Sequence, residues 1–346
     1  MQGYVVNRLV VILMLLLTAC TGGAVMANAN TGKTLHTKGN GQGSYTHITT
    51  DDSVRRIVEH PAFKGFSRLM LPREHDTYYL DTPLSNVRSL MPYHSHVDPG
   101  VIVGALNHMI DEVNEGKIIF YDFYTDQQKK EDPAKKHTGL FFYRGEPGAP
   151  FAIICPGGGF SYVASLHEGF PLALEISKKK YNAFVIRYRI DSEQKATEDL
   201  AAAITYIFRN AAALRVSTEN YSLWGGSAGA RMVGNIALSG VATYGGDDQP
   251  KPSTAVIAYT GQSSFSEDFP PTFMTVSAND GIANVSVVDK RVKNLRNAGV
   301  EVEYRRYRTA GHGFGLGMGT EAEGWVDLAV RFWEKHLSNG EKLQKK

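Results

Sequence analysis

Cysteine is scarce: Cys20 and Cys155 are the two in a chain of 346 residues. A disulfide framework is therefore excluded, and a fold of this length must rest on a packed core. An excess of one charge is missing as well, since 37 lysines and arginines against 35 aspartates and glutamates leave a formal net charge of +2. That balance argues against a nucleic-acid partner. The basic stretch Tyr304 to Arg308 reads as the solvated face of one strand rather than a phosphate-binding footprint. The apolar run Leu9 to Leu17 is too short to span a bilayer comfortably. The glycines Gly157 to Gly159 carry neither the G-x-G-x-x-G spacing nor a phosphate-loop lysine, which removes a nucleotide site from consideration. There is no internal repeat. The hydrophobic share of 42% is enough for one extensive core.

The N-terminus has the layout of an export signal, with Arg8 ahead of the apolar run and then Leu17-Thr18-Ala19-Cys20. This tetrapeptide resembles a bacterial lipobox, which predicts a signal peptide over residues 1–19, lipidation of Cys20 and a membrane anchor at the cell envelope. Cleavage after Val25-Met26-Ala27, releasing a soluble exported protein, is the alternative. Residues 20–50 are rich in Gly, Thr, Asn and Ser and read as a flexible tether. Residues 51–116 form an accessory extension with aromatic and proline-rich stretches, expected to pack against the catalytic unit and to contribute to the acyl or alcohol pocket. Within it His94 and His96 would face one side of an extended stretch, but no third ligand accompanies them and no metal is expected.

From residue 117 to 340 strand and helix patterns alternate, predicting an α/β unit with a mostly parallel central sheet flanked by helices. Lys117 to Tyr124 and Gly139 to Tyr143 read as an opening antiparallel pair. Strands Phe151 to Cys155, Ala183 to Tyr188, Thr254 to Tyr259, Phe273 to Val276 and Val302 to Tyr307 follow. Helices are predicted near Glu168 to Lys179, over Ala196 to Ala213, and where Val285, Val288, Val292 and Leu295 share a face. Thr320 with Glu323 reads as a capping box opening a last helix with a buried stripe at Trp325, Leu328, Ala329 and Phe332.

Four features carry chemistry. Leu223-Trp224-Gly225-Gly226-Ser227-Ala228-Gly229 has the layout of a nucleophile elbow, a strand-to-helix turn so tight that Gly225 and Gly229 must flank Ser227. Pro156-Gly157-Gly158-Gly159-Phe160 offers backbone amides to a tetrahedral oxyanion, with Gly158, Gly159 and Ala228 as the candidate donors. Gly311-His312-Gly313 places a base in a glycine loop that reads as mobile, and Gly313 to Gly319 suggests a gate or room for the base. Asp280 closes an apolar strand and would orient the imidazole. The order Ser227, Asp280, His312 differs from the chymotrypsin and subtilisin orders. Cys155 reads as a buried small apolar residue.

On these pieces, together with Glu168-Gly169 and Phe184 to Arg189, the stretch from about Lys117 to His336 resembles the α/β-hydrolase esterases, nearest to bacterial acetylesterases and acetylxylan-esterase-like proteins. The resemblance implies hydrolysis of short acyl esters, often on sugars, through a Ser227-His312-Asp280 triad and without a cofactor. Two departures stand out. Pro156 replaces the histidine usual in the glycine loop, and Asn284 lies where relatives often carry proline after the acid, leaving Asp289, inside a predicted helix, as the fallback acid. Two rivals stay open: a prolyl-oligopeptidase-like serine peptidase, for which the extension is too short to be the usual propeller, and a non-catalytic surface lipoprotein that binds glycan or protein on a hydrolase scaffold.

Overall fold

A computed structural model describes residues 44–337. The signal peptide, Cys20, most of the tether and residues 338–340 lie outside them. Among the described residues no helix is long and apolar enough to cross a membrane.

Secondary structure runs α1 (Val54–Glu59), α2 (Pro99–Asn114), β1 (Phe120–Tyr121), α3 (Asp126–Glu131), β2 (Gly139–Tyr143), β3 (Pro150–Cys155), α4 (Phe170–Lys178), β4 (Asn182–Arg187), α5 (Glu193–Arg209), α6 (Ala211–Leu214), β5 (Ser217–Gly226), α7 (Ala228–Ser239), β6 (Thr254–Ala258), β7 (Thr272–Ser277), α8 (Val285–Asn297), β8 (Val302–Tyr307) and α9 (Trp325–Lys335). The strands make one sheet in the order β1-β2-β4-β3-β5-β6-β7-β8. β2 is antiparallel to both β1 and β4, and every other pairing is parallel. Parallel strands send the loops after β3, β5, β7 and β8 to one edge of the sheet, which is where open α/β sheets bind ligands.

β2, β3, β4, β6 and β7 are buried along their whole length, as their near-continuous apolar runs require when helices cover both faces. β8 is the sheet edge. Its Arg305 and Arg306 are exposed and paired with Glu303 and Asp289, the solvated face expected for this basic stretch.

Several boundaries differ from the sequence reading. The first strand shrinks from Lys117–Tyr124 to two residues, because only Phe120 and Tyr121 find ladder partners on β2. The helix expected near Glu168 begins at Phe170, after a wide π-helical turn over Ser165–Gly169 that carries Glu168 into the interior. The helix expected over Ala196–Ala213 starts earlier, where Ser192 accepts from Lys195 N–H, and breaks at Asn210. Thr320 and Glu323 do not open α9: its N-cap is Gly324 in the left-handed region, and Thr320 instead closes a turn by accepting from Ala322 N–H.

The accessory segment shares one hydrophobic core with the sheet. Phe66 stacks on Phe120 at 4.8 Å, the Tyr143 hydroxyl donates to Ala105 O, and the buried Arg187 guanidinium donates to Leu71 O at 2.7 Å. The end of the stretch read as a tether is packed as well. Ile48 is buried, and its backbone is bonded in both directions to the Asn107 side chain on α2, so the folded unit begins before residue 50.

Candidate active site

β5 ends at Gly226 and α7 starts at Ala228, leaving Ser227 alone in the turn with φ 50° and ψ −114°. A serine at positive φ in this region is strained, and it persists only where its surroundings fix it. Here Ser227 N–H donates to Ala258 O on β6 at 3.0 Å. The flanking glycines are required by contact: a Cβ at Gly225 would lie 2.5 Å from the Gly229 backbone, and one at Gly229 would run into the Cys155 carbonyl on β3.

The turn aims Ser227 at His312, with Oγ and Nε2 2.9 Å apart. On the far side of the ring, Nδ1 meets Asp280 Oδ1 at 2.9 Å and Oδ2 at 2.8 Å. An ionised carboxylate only accepts, so the proton sits on Nδ1 and Nε2 is left to accept from the serine hydroxyl. Asp280 Oδ1 also accepts from the N–H groups of Ile282 and Ala283 at 2.8 and 2.7 Å, which fixes the carboxylate in an Asx turn. His312 is 7% exposed, and so the pair works in a site largely shielded from water. Asp289, the fallback acid, is elsewhere, engaged with Tyr304 and Arg306.

The glycine loop lies against this group. A Cβ on Gly157 would come within 2.9 Å of Ser227 Cβ. Gly158 and Gly159 have φ of 133° and 62°, conformations that glycine alone adopts readily. Among the described residues, no protein group accepts from the N–H groups of Gly158, Gly159 or Ala228. Pro156 does not leave the loop unanchored, because Tyr188 O–H donates to its carbonyl at 2.6 Å.

The BD-FAE family model matches residues 144–284, less than half of the chain, a stretch that includes Ser227 and Asp280 and stops short of His312. Endo-1,4-beta-xylanase B of Butyrivibrio fibrisolvens is 30% identical over 92 residues, 25% of this chain and only 14% of that enzyme. Among solved structures, an acetyl ester-xyloside bifunctional hydrolase from Caldicellulosiruptor lactoaceticus superimposes with a TM-score of 0.55 at 19% identity, covering 62% of this chain and 95% of its own. A carboxylesterase from Lactobacillus plantarum gives 0.51 at 21% identity, with 58% and 94% covered. A propionate-bound esterase from Thermogutta terrifontis gives 0.51 at 16%, with 60% and 92% covered. The chain has the α/β-hydrolase fold.

Beneath the site of this hydrolase fold lies a buried polar cluster that sequence reasoning missed. Glu168 Oε2 accepts from Gly157 N–H at 2.5 Å, and its Oε1 accepts from Tyr259 O–H at 2.8 Å. His94 Nε2 is 3.1 Å from the same Oε1 but poorly aligned for a hydrogen bond, while its Nδ1 bonds the Tyr162 hydroxyl at 2.9 Å. Burial opposes the charge on Glu168, yet His94, His167 and the Gly157 N–H outweigh it and hold the carboxyl down at about 2. Burial, with His94 alongside, lowers His167 to about 4, so it stays neutral and its Nε2–H donates to Gly313 O at 3.0 Å. The glycines after His312 follow from this packing. A Cβ on Gly313 would strike the His94 ring and one on Gly315 the His167 ring. In the stretch read as a mobile loop or gate, Gly313 and Gly315 are therefore buried against two imidazoles and make room for the rings, whereas a Cβ on Gly317 would meet Ala322 and Gly319 is exposed. A Glu-Gly pair in the sequence hints at the cluster; His94 gives no such signal, because its partners lie far along the chain.

His94 and His96 do not form a joint ligand set, since His94 is spent in this cluster and His96 sits apart at positive φ. Glu74, His75 and His137 are three groups close enough to hold an ion. Both imidazoles address one oxygen, Glu74 Oε1, and the charge of that carboxylate favours the protonated guanidinium of the nearby buried Arg187. Two donors on a single acceptor account for the arrangement. Cys155 is buried, and burial pushes its thiol far above the usual range, which makes it inert.

Proposed function

We propose that this protein is a serine esterase that hydrolyses short-chain carboxylic esters, acetyl groups on carbohydrates among them. The reading rests on one observation: His312 stands between Ser227 and Asp280 at hydrogen-bond distance from both. His312 removes the hydroxyl proton as Ser227 Oγ attacks the ester carbonyl, and Asp280 stabilises the imidazolium that forms. The free N–H groups of Gly158, Gly159 and Ala228 face the developing oxyanion, where one donor is worth about 3–4 kcal/mol. The intermediate collapses, the alcohol leaves with the proton from His312, and water repeats the cycle to free the acid. Similarity to the Butyrivibrio xylanase and to the acetyl ester-xyloside hydrolase supports a carbohydrate ester.

Ser227→Ala is expected to abolish hydrolysis of p-nitrophenyl acetate while the far-UV circular dichroism stays unchanged. Undiminished turnover by that variant discards the mechanism. A panel of acetylated oligosaccharides against aryl esters of increasing chain length then ranks substrates, and preferential cleavage of aminoacyl nitroanilides would favour the peptidase reading instead.

A further inference from the structure

The accessory segment reaches the site through one dipeptide. Ser95 N–H donates to His312 O at 3.0 Å, and its hydroxyl lies 2.7 Å from the same carbonyl and 2.8 Å from Ala310 O. The backbone of the proposed base is thus gripped by a residue 217 positions earlier. Its neighbour His94 faces the other way. It is buried, bonded to the Tyr162 hydroxyl, set beside Glu168 Oε1, and packed on the backbone of Gly313. Glu168 carries the connection onward, since its second oxygen takes the Gly157 N–H that orients the glycine loop. Tyr259, bonded to the first oxygen, lays its ring edge-on to His312 at 5.3 Å.

From this geometry we propose that His94 and Ser95 are positioning residues of the hydrolase site: Ser95 sets the backbone of the base loop, and His94, through Glu168, sets the amides of the glycine loop. The inference rests on the esterase reading, and it concerns residues of the segment that precedes the first strand of the sheet. Neither side chain is within hydrogen-bond reach of Ser227 Oγ, so neither transfers a proton. Their effect is register. Proton transfer and oxyanion binding both depend on geometry so steeply that a displacement of about 1 Å costs roughly a hundredfold in rate. Substrate affinity carries no such dependence on the base loop, so loss of register lowers kcat with little change in KM.

The test compares wild type, Ser95→Ala and His94→Gln on p-nitrophenyl acetate, with the concentration of folded sites counted by fluorophosphonate titration and thermal melting followed in parallel. Ser95→Ala is expected to lower kcat per titrated site about tenfold or more, with KM within about twofold of wild type. His94→Gln is expected to do the same and also to weaken inhibition by a trifluoromethyl ketone, whose adduct uses the oxyanion amides, by a similar factor. Variants that melt at lower temperature but keep wild-type kcat per titrated site have a purely structural role and overturn the proposal. A wild type that neither hydrolyses ester nor takes the label overturns the esterase reading, and the inference with it, whereas an active wild type with unaffected variants overturns the inference alone.

Discussion

Glu168 shows how much of the candidate site is tied to one buried side chain. Its carboxylate accepts from two donors, Gly157 N–H on one oxygen and Tyr259 O–H on the other, with the edge of His94 alongside. Glutamine has one acceptor oxygen and turns an NH2 donor toward at least one of them. A buried donor left unmatched costs about 1–3 kcal/mol. Glu168→Gln should therefore lower kcat for ester hydrolysis by about tenfold or more while the protein still folds, a result that steady-state kinetics checks directly. The residues that sequence reading singles out, Ser227, Asp280 and His312, are legible because each follows a strand with glycine beside it. Glu168 is half-legible, as part of a Glu-Gly pair on what reads as a helix. The π-helical turn that swings it inward has no local marker.

Between elements, the strongest tie is Arg189, just past β4. It is almost fully buried and holds Asp199 on α5, with a nitrogen–oxygen distance of 2.8 Å, and Asp132 in the turn before β2 at 2.6 Å. Tyr124 O–H also donates to Asp199. Removing one partner of a buried pair strands the other charge, so Asp199→Ala is expected to lower stability by about 3–5 kcal/mol, readable as a lower urea midpoint. Strands β2, β3, β4, β6 and β7 are the easiest elements to read, because strands covered on both faces are largely apolar. Helix ends were harder. The Thr320–Glu323 pair has the spelling of a capping box, yet the chain needs a further left-handed turn at Gly324 before α9 can lie along the sheet.

At the scale of the molecule, burial keeps three histidines neutral: His60, His108 and His167 all titrate below their ordinary value, with desolvation the leading cause in each. The unfolded chain binds protons on these rings as pH falls below about 6.5, and the folded chain does not until lower pH. Stability therefore drops as pH falls from about 6.5, and His167, held to about 4, contributes up to roughly 3 kcal/mol of that loss. Glu168 adds a second stage: its share is present above about 4.5 and disappears as pH falls toward about 2. Urea unfolding from pH 7.5 to 3 should give a midpoint that declines in these two stages, and a flat profile above pH 4.5 would remove the histidine stage.

The α/β architecture is readable along most of the chain, and so is the packing of the accessory segment against it, whereas the particular residues that make the contact are not, because partners so far apart leave no periodic trace. That contact bears on biogenesis. Ser95 leaves the ribosome 217 residues ahead of the carbonyl it grips, so this one clasp stays open through most of synthesis even though the rest of the segment meets its partners on β1, β2 and β4 earlier. The base loop is therefore locked last, when the final portion of the chain reaches a hydroxyl and an amide that were made near its start.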